Sequence, residues 1–482
     1  VLNEPKNDKN FFFEKKKQES FTNQNQAILT GWGRTTSSAC EIIEPDRPDH
    51  MKSPLPSLAG EEGARRLSAG KVRARAELEP TSIIVHAGGR SYGDCALNTG
   101  GAVLMSKTLD RIIAFDDQTN IVQVEPGVTF KQLLEHFLPK NTIVPVSPGT
   151  GFATIGGAVA NDVHGKNHEQ AGSFGQHVTE LDLRLPDGTL HTIGPNADPS
   201  LFAATVGGIG LTGVITRIAF RMKQIPGPAM IVRAQRCQDL DALLSAMAEA
   251  ASASHSVAWI DGTATGTNLG RGILETAEPA GADQHPRPPS SRLTVPFDFP
   301  SATLNTLTVR AFNAAYFRRI PKQGHTGIVH LARFLYPLDT LLRWNRIYGK
   351  RGFYQFQCVL PYEAGADAVR DLLERIAASG RASFLSVLKH MGPGRAGYLS
   401  FPRPGYTLAL DFPARDGVED FYTKLVERVL HHGGRIYLGK DALLRSEHFK
   451  SMYPEWNAFR DVLAHIDPNR HMMSDMRRRL GL

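Results

Sequence analysis

Glycines stand side by side in two stretches of the N-terminal half, residues 86–94 and 148–166, the first placed after a segment that reads as a strand. Adjacent glycines let successive backbone N–H groups converge on one point and let another surface approach the chain closely. Neither stretch contains GxGxxG or GxxxxGK[ST], so neither a dinucleotide-binding Rossmann turn nor a P-loop is expected. The first, His86-Ala87-Gly88-Gly89-Arg90-Ser91-Tyr92-Gly93-Asp94, fits either a tight turn or an anion cradle to which Ser91 adds a donor. In the second, Gly149, Gly151, Gly156 and Gly157 are followed by His164 and Lys166, and small residues run through position 158. That combination favours a flat or pyrophosphate-bearing ligand with polar and cationic groups at one end. A third cluster occupies residues 207–213.

A length of 482 residues exceeds what one hydrophobic core usually serves, so two lobes with a cleft between them are expected. Residues 82–85, 103–105 and 121–128 read as strands, and apolar positions 130, 133, 134, 137 and 138 predict a helix. Residues 181–185 and 190–193 alternate around Pro186-Asp187-Gly188-Thr189, a hairpin pattern on the surface of a lobe. A strand at 214–222 runs to Pro226-Gly227-Pro228, where the first domain is expected to end. Beyond it come a strand at 229–234 and a helix at about 240–251. Residues 262–292, crowded with Gly, Pro, Ser and Thr, predict a mobile flap or a disordered insertion. Alternating segments 354–360 and 406–412 each precede a helical pattern, 366–378 and 418–431, as in an antiparallel sheet backed by helices. Residues 1–26 read as a disordered tail, and residues 44–79 hold no more than a short helix around 61–67. The class is α+β.

An apolar fraction of 41% with 21% charged residues is that of a globular protein, and a net charge of +7 without a basic arm excludes nucleic acid as a partner. The Arg477-Arg478-Arg479 run is either a patch for an anionic cofactor, substrate or membrane, or a solvated helix end. Cys40, Cys95, Cys237 and Cys358 form no CxxC pair, and His86, His136, His177, His431 and His432 lack ligand spacing, so no metal site or disulfide scaffold is expected. A polar N-terminal stretch and the lack of a long apolar run predict a cytoplasmic protein, or one peripheral on the inner membrane.

Six segments carry a resemblance over nearly the whole chain after the tail: Gly31-Trp32-Gly33-Arg34, Gly89-Arg90-Ser91-Tyr92-Gly93-Asp94, Asp162-Val163-His164-Gly165-Lys166-Asn167-His168, Ala171-Gly172-Ser173-Phe174-Gly175, Trp344-Asn345-Arg346 and Gly433-Gly434-Arg435-Ile436-Tyr437. Together they resemble the flavin-dependent oxidases and dehydrogenases of the vanillyl-alcohol-oxidase type. The resemblance implies a PCMH-type FAD-binding lobe at 27–225, completed by 436–482, and an antiparallel-sheet substrate lobe at 226–435. It places FAD on Gly88, Gly89, Arg90, Ser91 and Tyr92 of the first loop. From the second it adds Pro148, Gly149, Thr150, Thr154, Gly156, Gly157, Asn161, His164 and Gly165, with Gly213 from the third cluster. Many relatives join the flavin covalently to a histidine in the first loop; Arg90 stands there, which implies dissociable, non-covalent FAD.

On the substrate side the resemblance implies Tyr92, Lys166, Trp259, Gln355, Gln357, Lys389 and Lys440, with Lys440, Tyr437 and His164 catalytic. Alcohol oxidation needs a hydroxyl proton removed, and a buried lysine near other cations has its pKa lowered towards that task. The bland readings are His164 capping a turn, Trp259 in a sheet core and Lys440 solvated beside Asp441. Ala409 stands where well-known relatives carry a reactive cysteine, and Leu335, followed by Tyr336, stands where a tyrosine is common. The implied reaction is oxidation of the 2-hydroxyl of a polyprenylphosphoryl-β-D-ribofuranose to the 2-keto sugar, the first half of an epimerisation to an arabinose-type cell-wall precursor. A separate NAD(P)H-dependent keto-sugar reductase would finish it, and the lipid-linked phospho-sugar implies peripheral membrane contact. Rival readings are a sugar-alcohol or aldonolactone oxidase of the same fold, and a non-catalytic flavin- or lipid-binding module.

Overall fold

In the computed structural model, which describes residues 26–45, 82–289 and 293–482, the first glycine-rich loop leaves the edge of a small sheet. Its strands are β1 (Gln26–Thr30), β2 (Ser37–Ile43), β3 (Ile83–His86) and β4 (Ala102–Met105), in the order β1-β2-β4-β3. The expected tail, apart from Gln26, and the short helix expected around 61–67 lie outside the described residues. A second sheet is wholly antiparallel: β5 (Ile112–Asp116), β6 (Ile121–Val124), β8 (Val178–Arg184), β9 (Leu190–Ile193) and β10 (Val214–Arg221), in the order β5-β6-β10-β8-β9. The hairpin expected at 181–193 is β8 and β9, and β9 is largely exposed. Short β7 (Thr142–Ile143) pairs with β11 (Lys223–Gln224).

The strand expected at 121–128 ends at Val124. Pro126 has no N–H for a ladder, and the chain turns there to reach Thr129, whose side chain accepts from the Gln132 N–H and caps the Phe130–Phe137 helix.

The third sheet has eight antiparallel strands. They are β12 (Ala229–Cys237), β13 (His255–Ile260), β14 (Gly272–Pro279), β16 (His325–His330), β18 (Phe353–Pro361), β19 (Ser386–Met391), β20 (Gly405–Pro413) and β21 (Arg435–Ile436). Their order is β16-β12-β14-β13-β19-β20-β18-β21, and β15 (Leu293–Thr294) pairs with β17 (Leu341–Leu342) beside it. Period-two alternation divides the faces. Tyr354, Phe356, Cys358 and Leu360 of β18, with Leu388, Leu408 and Leu410, are buried against the Leu240–Glu249, Gly365–Ser379 and Val418–His431 helices. The intervening side chains, Gln355, Gln357, Val387, Lys389, Ala409 and Trp259, face a cavity instead.

Two expectations fail here. The 262–292 stretch is not one flap or insertion: β14 lies in its middle, hydrogen-bonded between β12 and β13, because Ile273, Leu274 and Ala277 supply buried apolar positions among the small residues. Nor is the arginine run as a whole an exposed patch or a solvated helix end, since only Arg478 is exposed. Arg477 is buried on Asp467 at 2.8 Å, Arg478 pairs with Asp475 at 2.8 Å, and Arg479 meets Asp94 at 2.7 Å and Asp441 at 2.9 Å. The Asp475–Leu480 helix is thereby stapled to the first glycine loop, while the Ile83 N–H donates to the His471 carbonyl at 2.7 Å.

Candidate active site

All of the residues singled out from the sequence for cofactor, substrate or catalysis line one cavity of about 1310 Å³. The glycines set its shape. A Cβ on Gly156 would lie 2.6 Å from Pro126 Cβ, so the Ile155–Ala160 helix packs there only without a side chain. A Cβ on Gly149 would meet nothing within 4 Å, so its bare backbone is a wall of the cavity rather than a packing contact. This is the fit expected for a large planar ligand with a pyrophosphate: close-packed glycine behind, open glycine in front. Gly156→Ala should therefore lower stability by about 1–3 kcal/mol through overpacking, whereas Gly149→Val should leave the melting temperature of the cofactor-free protein unchanged and weaken FAD binding. Thermal melts and flavin titration of both variants check this, and equal behaviour of the two would refute it.

Arg90, on the first loop, is half-buried, with its guanidinium 4.3 Å from the Trp32 ring and 5.1 Å from the Phe152 ring. The second loop is tied to the substrate side by Asp339, which accepts from Thr150 Oγ1 and from the Gly151 N–H, both at 2.7 Å. Asn161 accepts the Tyr437 hydroxyl on its carbonyl at 3.2 Å, and the Tyr437 ring stacks on Phe401 at 4.7 Å. Tyr336, next to Leu335, is buried and shares a 2.7 Å hydrogen bond with Ser147.

The floor comes from the sheet. Register places Gln357 opposite Ala409, Ala409 opposite Val387 and Val387 opposite Trp259, one row across four strands. The Trp259 indole N–H donates to the Phe384 carbonyl at 3.0 Å. At one end of the row, the Gln357 amide nitrogen lies 3.1 Å from His164 Nε2 and Lys389 Nζ 3.3 Å from Nδ1. Burial holds His164 well below its usual pKa, and Lys389, His168 and Lys440 push it the same way. The ring is neutral and has one N–H; with Gln357 donating to Nε2, that N–H is on Nδ1, the side that faces Lys389.

Three lysines converge on this space with depressed pKa values. Lys389 is lowered to about 7 by burial and by the charges of Lys166 and Lys440. Lys440 is lowered to about 8 by burial, with Asp411 opposing, and its Nζ sits 3.9 Å from the Tyr92 ring centroid. Lys166 is also lowered to about 8 by burial, donates to the Phe334 carbonyl and lies 4.2 Å from the Phe334 ring. Lys440 is thus not a solvated residue.

Sequence reasoning missed Asp411. It is fully buried, accepts from Gln355 at 2.7 Å and Tyr348 at 2.9 Å, and burial raises its pKa to about 7. Its signal was a carboxylate on the cavity face of an otherwise apolar strand, β20. Asp94 and Arg479 were also missed as a pair, since they lie 385 positions apart.

Residues 71–194 match the family model of an FAD binding domain, and residues 408–480 match that of D-arabinono-1,4-lactone oxidase. Over 468 residues the chain is 36% identical to decaprenylphosphoryl-beta-D-ribose oxidase of Mycolicibacterium smegmatis, covering 94% of this chain and 97% of that protein. It is 34% identical over 373 residues to an uncharacterized protein in the mprA 5' region of Streptomyces coelicolor, covering 74% of this chain and all of that one, 100%. A D-lactate dehydrogenase of Anaerostipes hadrus is 28% identical over 143 residues, 28% of this chain and 30% of that protein. FAD is accordingly the cofactor. The chain belongs to the decaprenylphosphoryl-β-D-ribose oxidase family of two-lobed, FAD-dependent oxidoreductases that act on alcohol groups.

Proposed function

We propose that the protein oxidises the 2-hydroxyl of a polyprenylphosphoryl-β-D-ribofuranose to the 2-keto sugar, the first half of an epimerisation that a separate NAD(P)H-dependent reductase completes. The observation that carries this reading is the convergence of Lys166, Lys389 and Lys440 in a cavity whose rim includes half-exposed Ile328: an anionic head with an apolar tail suits both. Residues 27–225 with 436–482 form the FAD lobe and residues 226–435 the substrate lobe in this reading. Bound FAD supplies the two-electron acceptor. Gly88, Gly89, Ser91, Tyr92, Pro148, Gly149, Thr150, Thr154, Gly156, Gly157, Asn161, Gly165 and Gly213 hold it, with Arg90 alongside; a guanidinium offers no covalent link, so the flavin dissociates.

Lys440, uncharged above about pH 8, takes the hydroxyl proton, and Tyr92 beneath its Nζ fixes its place. Neutral His164 and Tyr437 form the adjoining wall, Gln355 and Gln357 orient the sugar hydroxyls, and Trp259 bounds the floor. Lys389 and Lys166, part protonated at neutral pH, attract the phosphate. Contact with the inner membrane would be peripheral: among the described residues no helix is long and apolar enough to cross a membrane.

The test is to add the polyprenylphosphoryl ribose to the purified yellow protein. The flavin absorbance should bleach, and acid precipitation should leave the colour in the supernatant. Silence with that substrate and turnover of a free alditol or aldonolactone would replace this reading with the sugar-alcohol or lactone oxidase, which the match of residues 408–480 keeps as the second reading.

A further inference from the structure

A second concavity, of about 440 Å³, shares no lining residue with the first and opens at the β21 edge of the large sheet. Three arginines line it, Arg395, Arg403 and Arg435, among apolar Leu430, Met452 and Pro454. Arg435 is only 6% exposed. Its Nη1 donates to the Ser400 carbonyl at 3.1 Å and its guanidinium lies 4.9 Å from the Tyr453 ring, but its buried Nε has no partner. Arg403 Nη1 donates to the Gly433 carbonyl at 2.8 Å. Arg395 pairs through Nη2 with Glu455, while its Nη1 is buried without a partner.

Three guanidiniums therefore line one concavity, and only Arg395 has a carboxylate partner, Glu455, whose Oε2 is itself buried without a hydrogen bond. Burial lowers the Arg435 pKa, and the charges of Arg395 and Arg403 push it down further against Tyr453 and Glu455. Buried donors without acceptors are uncommon in folded proteins, and a buried cation beside like charges is costly unless an anion joins it. Planar guanidinium forks match phosphate oxygens two at a time, and an organic body attached to the phosphate would lie on the apolar walls.

We propose that this pocket is a second anion site, taking the phosphate group of a phosphate ester on Arg395, Arg403 and Arg435. It is independent of the reaction assigned above, since the two cavities have no residue in common. Arg403 and Arg395 are the residues to change, because both are part-exposed, whereas loss of buried Arg435 would disturb β21 itself.

The experiment is calorimetric titration of the full-length, FAD-loaded protein with inorganic phosphate, beside sedimentation with phosphatidylglycerol and with phosphatidylcholine vesicles. Arg403→Ala and Arg395→Ala should each weaken phosphate binding by about tenfold or more, with the flavin spectrum unchanged as a check on folding. Glu455→Gln should tighten it, an effect that a merely structural arginine cluster would not give. Arginine-dependent sedimentation with phosphatidylglycerol alone would assign a lipid headgroup as the source of the phosphate; arginine-dependent binding of inorganic phosphate without it would assign a soluble ester. Absence of binding in the unaltered protein, or binding that survives both arginine substitutions and disappears in Lys389→Met, overturns the proposal.

Discussion

Arg479→Ala should be among the most damaging single substitutions in the chain, costing about 3–5 kcal/mol of stability. Its guanidinium holds Asp94 at 2.7 Å and Asp441 at 2.9 Å, and those two carboxylate side chains are 9% and 0% exposed. Removing the cation leaves both buried without their counter-ion, and their mutual repulsion adds to the desolvation cost. Burial works against the charge of Arg479, but the Asp441 charge and the Asp94 hydrogen bond hold its pKa well above the ordinary arginine value, while burial raises that of Asp94. The damage should reach the cofactor, because Gly93 beside Asp94 packs so tightly that a Cβ there would lie 1.8 Å from the Asp441 carbonyl oxygen. Urea unfolding followed by flavin release and by circular dichroism measures the loss. The neighbouring Arg478→Ala, whose pair with Asp475 is half-exposed, should cost about 1 kcal/mol or less. A wild-type midpoint for Arg479→Ala would refute the staple.

Lys440→Ala should reduce kcat by roughly 10²–10⁴-fold while FAD stays bound. The sign of the pH dependence follows from the lowered pKa: a base must be uncharged to accept a proton, so kcat should rise with pH and level off above about 8. Lys440→Arg keeps the positive charge but cannot lose its proton near neutrality, so it should be as inactive as the alanine variant. Full activity in Lys440→Arg would mean that the charge, not proton removal, is what this position supplies. Lys389, lowered to about 7, sets a separate limb if its charge is needed for the phosphate: KM should rise above that pH without a parallel change in kcat.

Much of this architecture was legible locally. The helix expected at 418–431 is Val418–His431, and that at 366–378 is Gly365–Ser379, because an apolar stripe with period 3.6 is written within the segment itself. The glycine loops were legible because a backbone that must stay bare can be only glycine. Strand β14 was not: Gly272, Thr276 and Pro279 resemble their loop-forming neighbours, and its strand character comes from β12 and β13 on either side. The arginine run was misread for a related reason. Arginines in a row look solvent-seeking, and the carboxylates that bury two of them lie on other segments, Asp94 and Asp441 for Arg479 and Asp467, ten positions earlier, for Arg477. Asp411 is a third case, since Gln355 and Tyr348, its partners, lie on other elements.

The staple also bears on how the protein is made. Asp94 waits for a partner 385 positions later in the chain. At about 5–20 residues per second of synthesis, the first glycine loop spends roughly 20–80 s outside the ribosome before that partner exists. During that interval the Asp94 carboxylate has no cation and, for most of it, the wall formed by Asp441 is missing, so the flavin has no finished seat. Cofactor loading is therefore expected only after Arg479 has been made. A prematurely terminated copy would remain colourless, and the yellow of the mature protein is a record that translation reached Arg479.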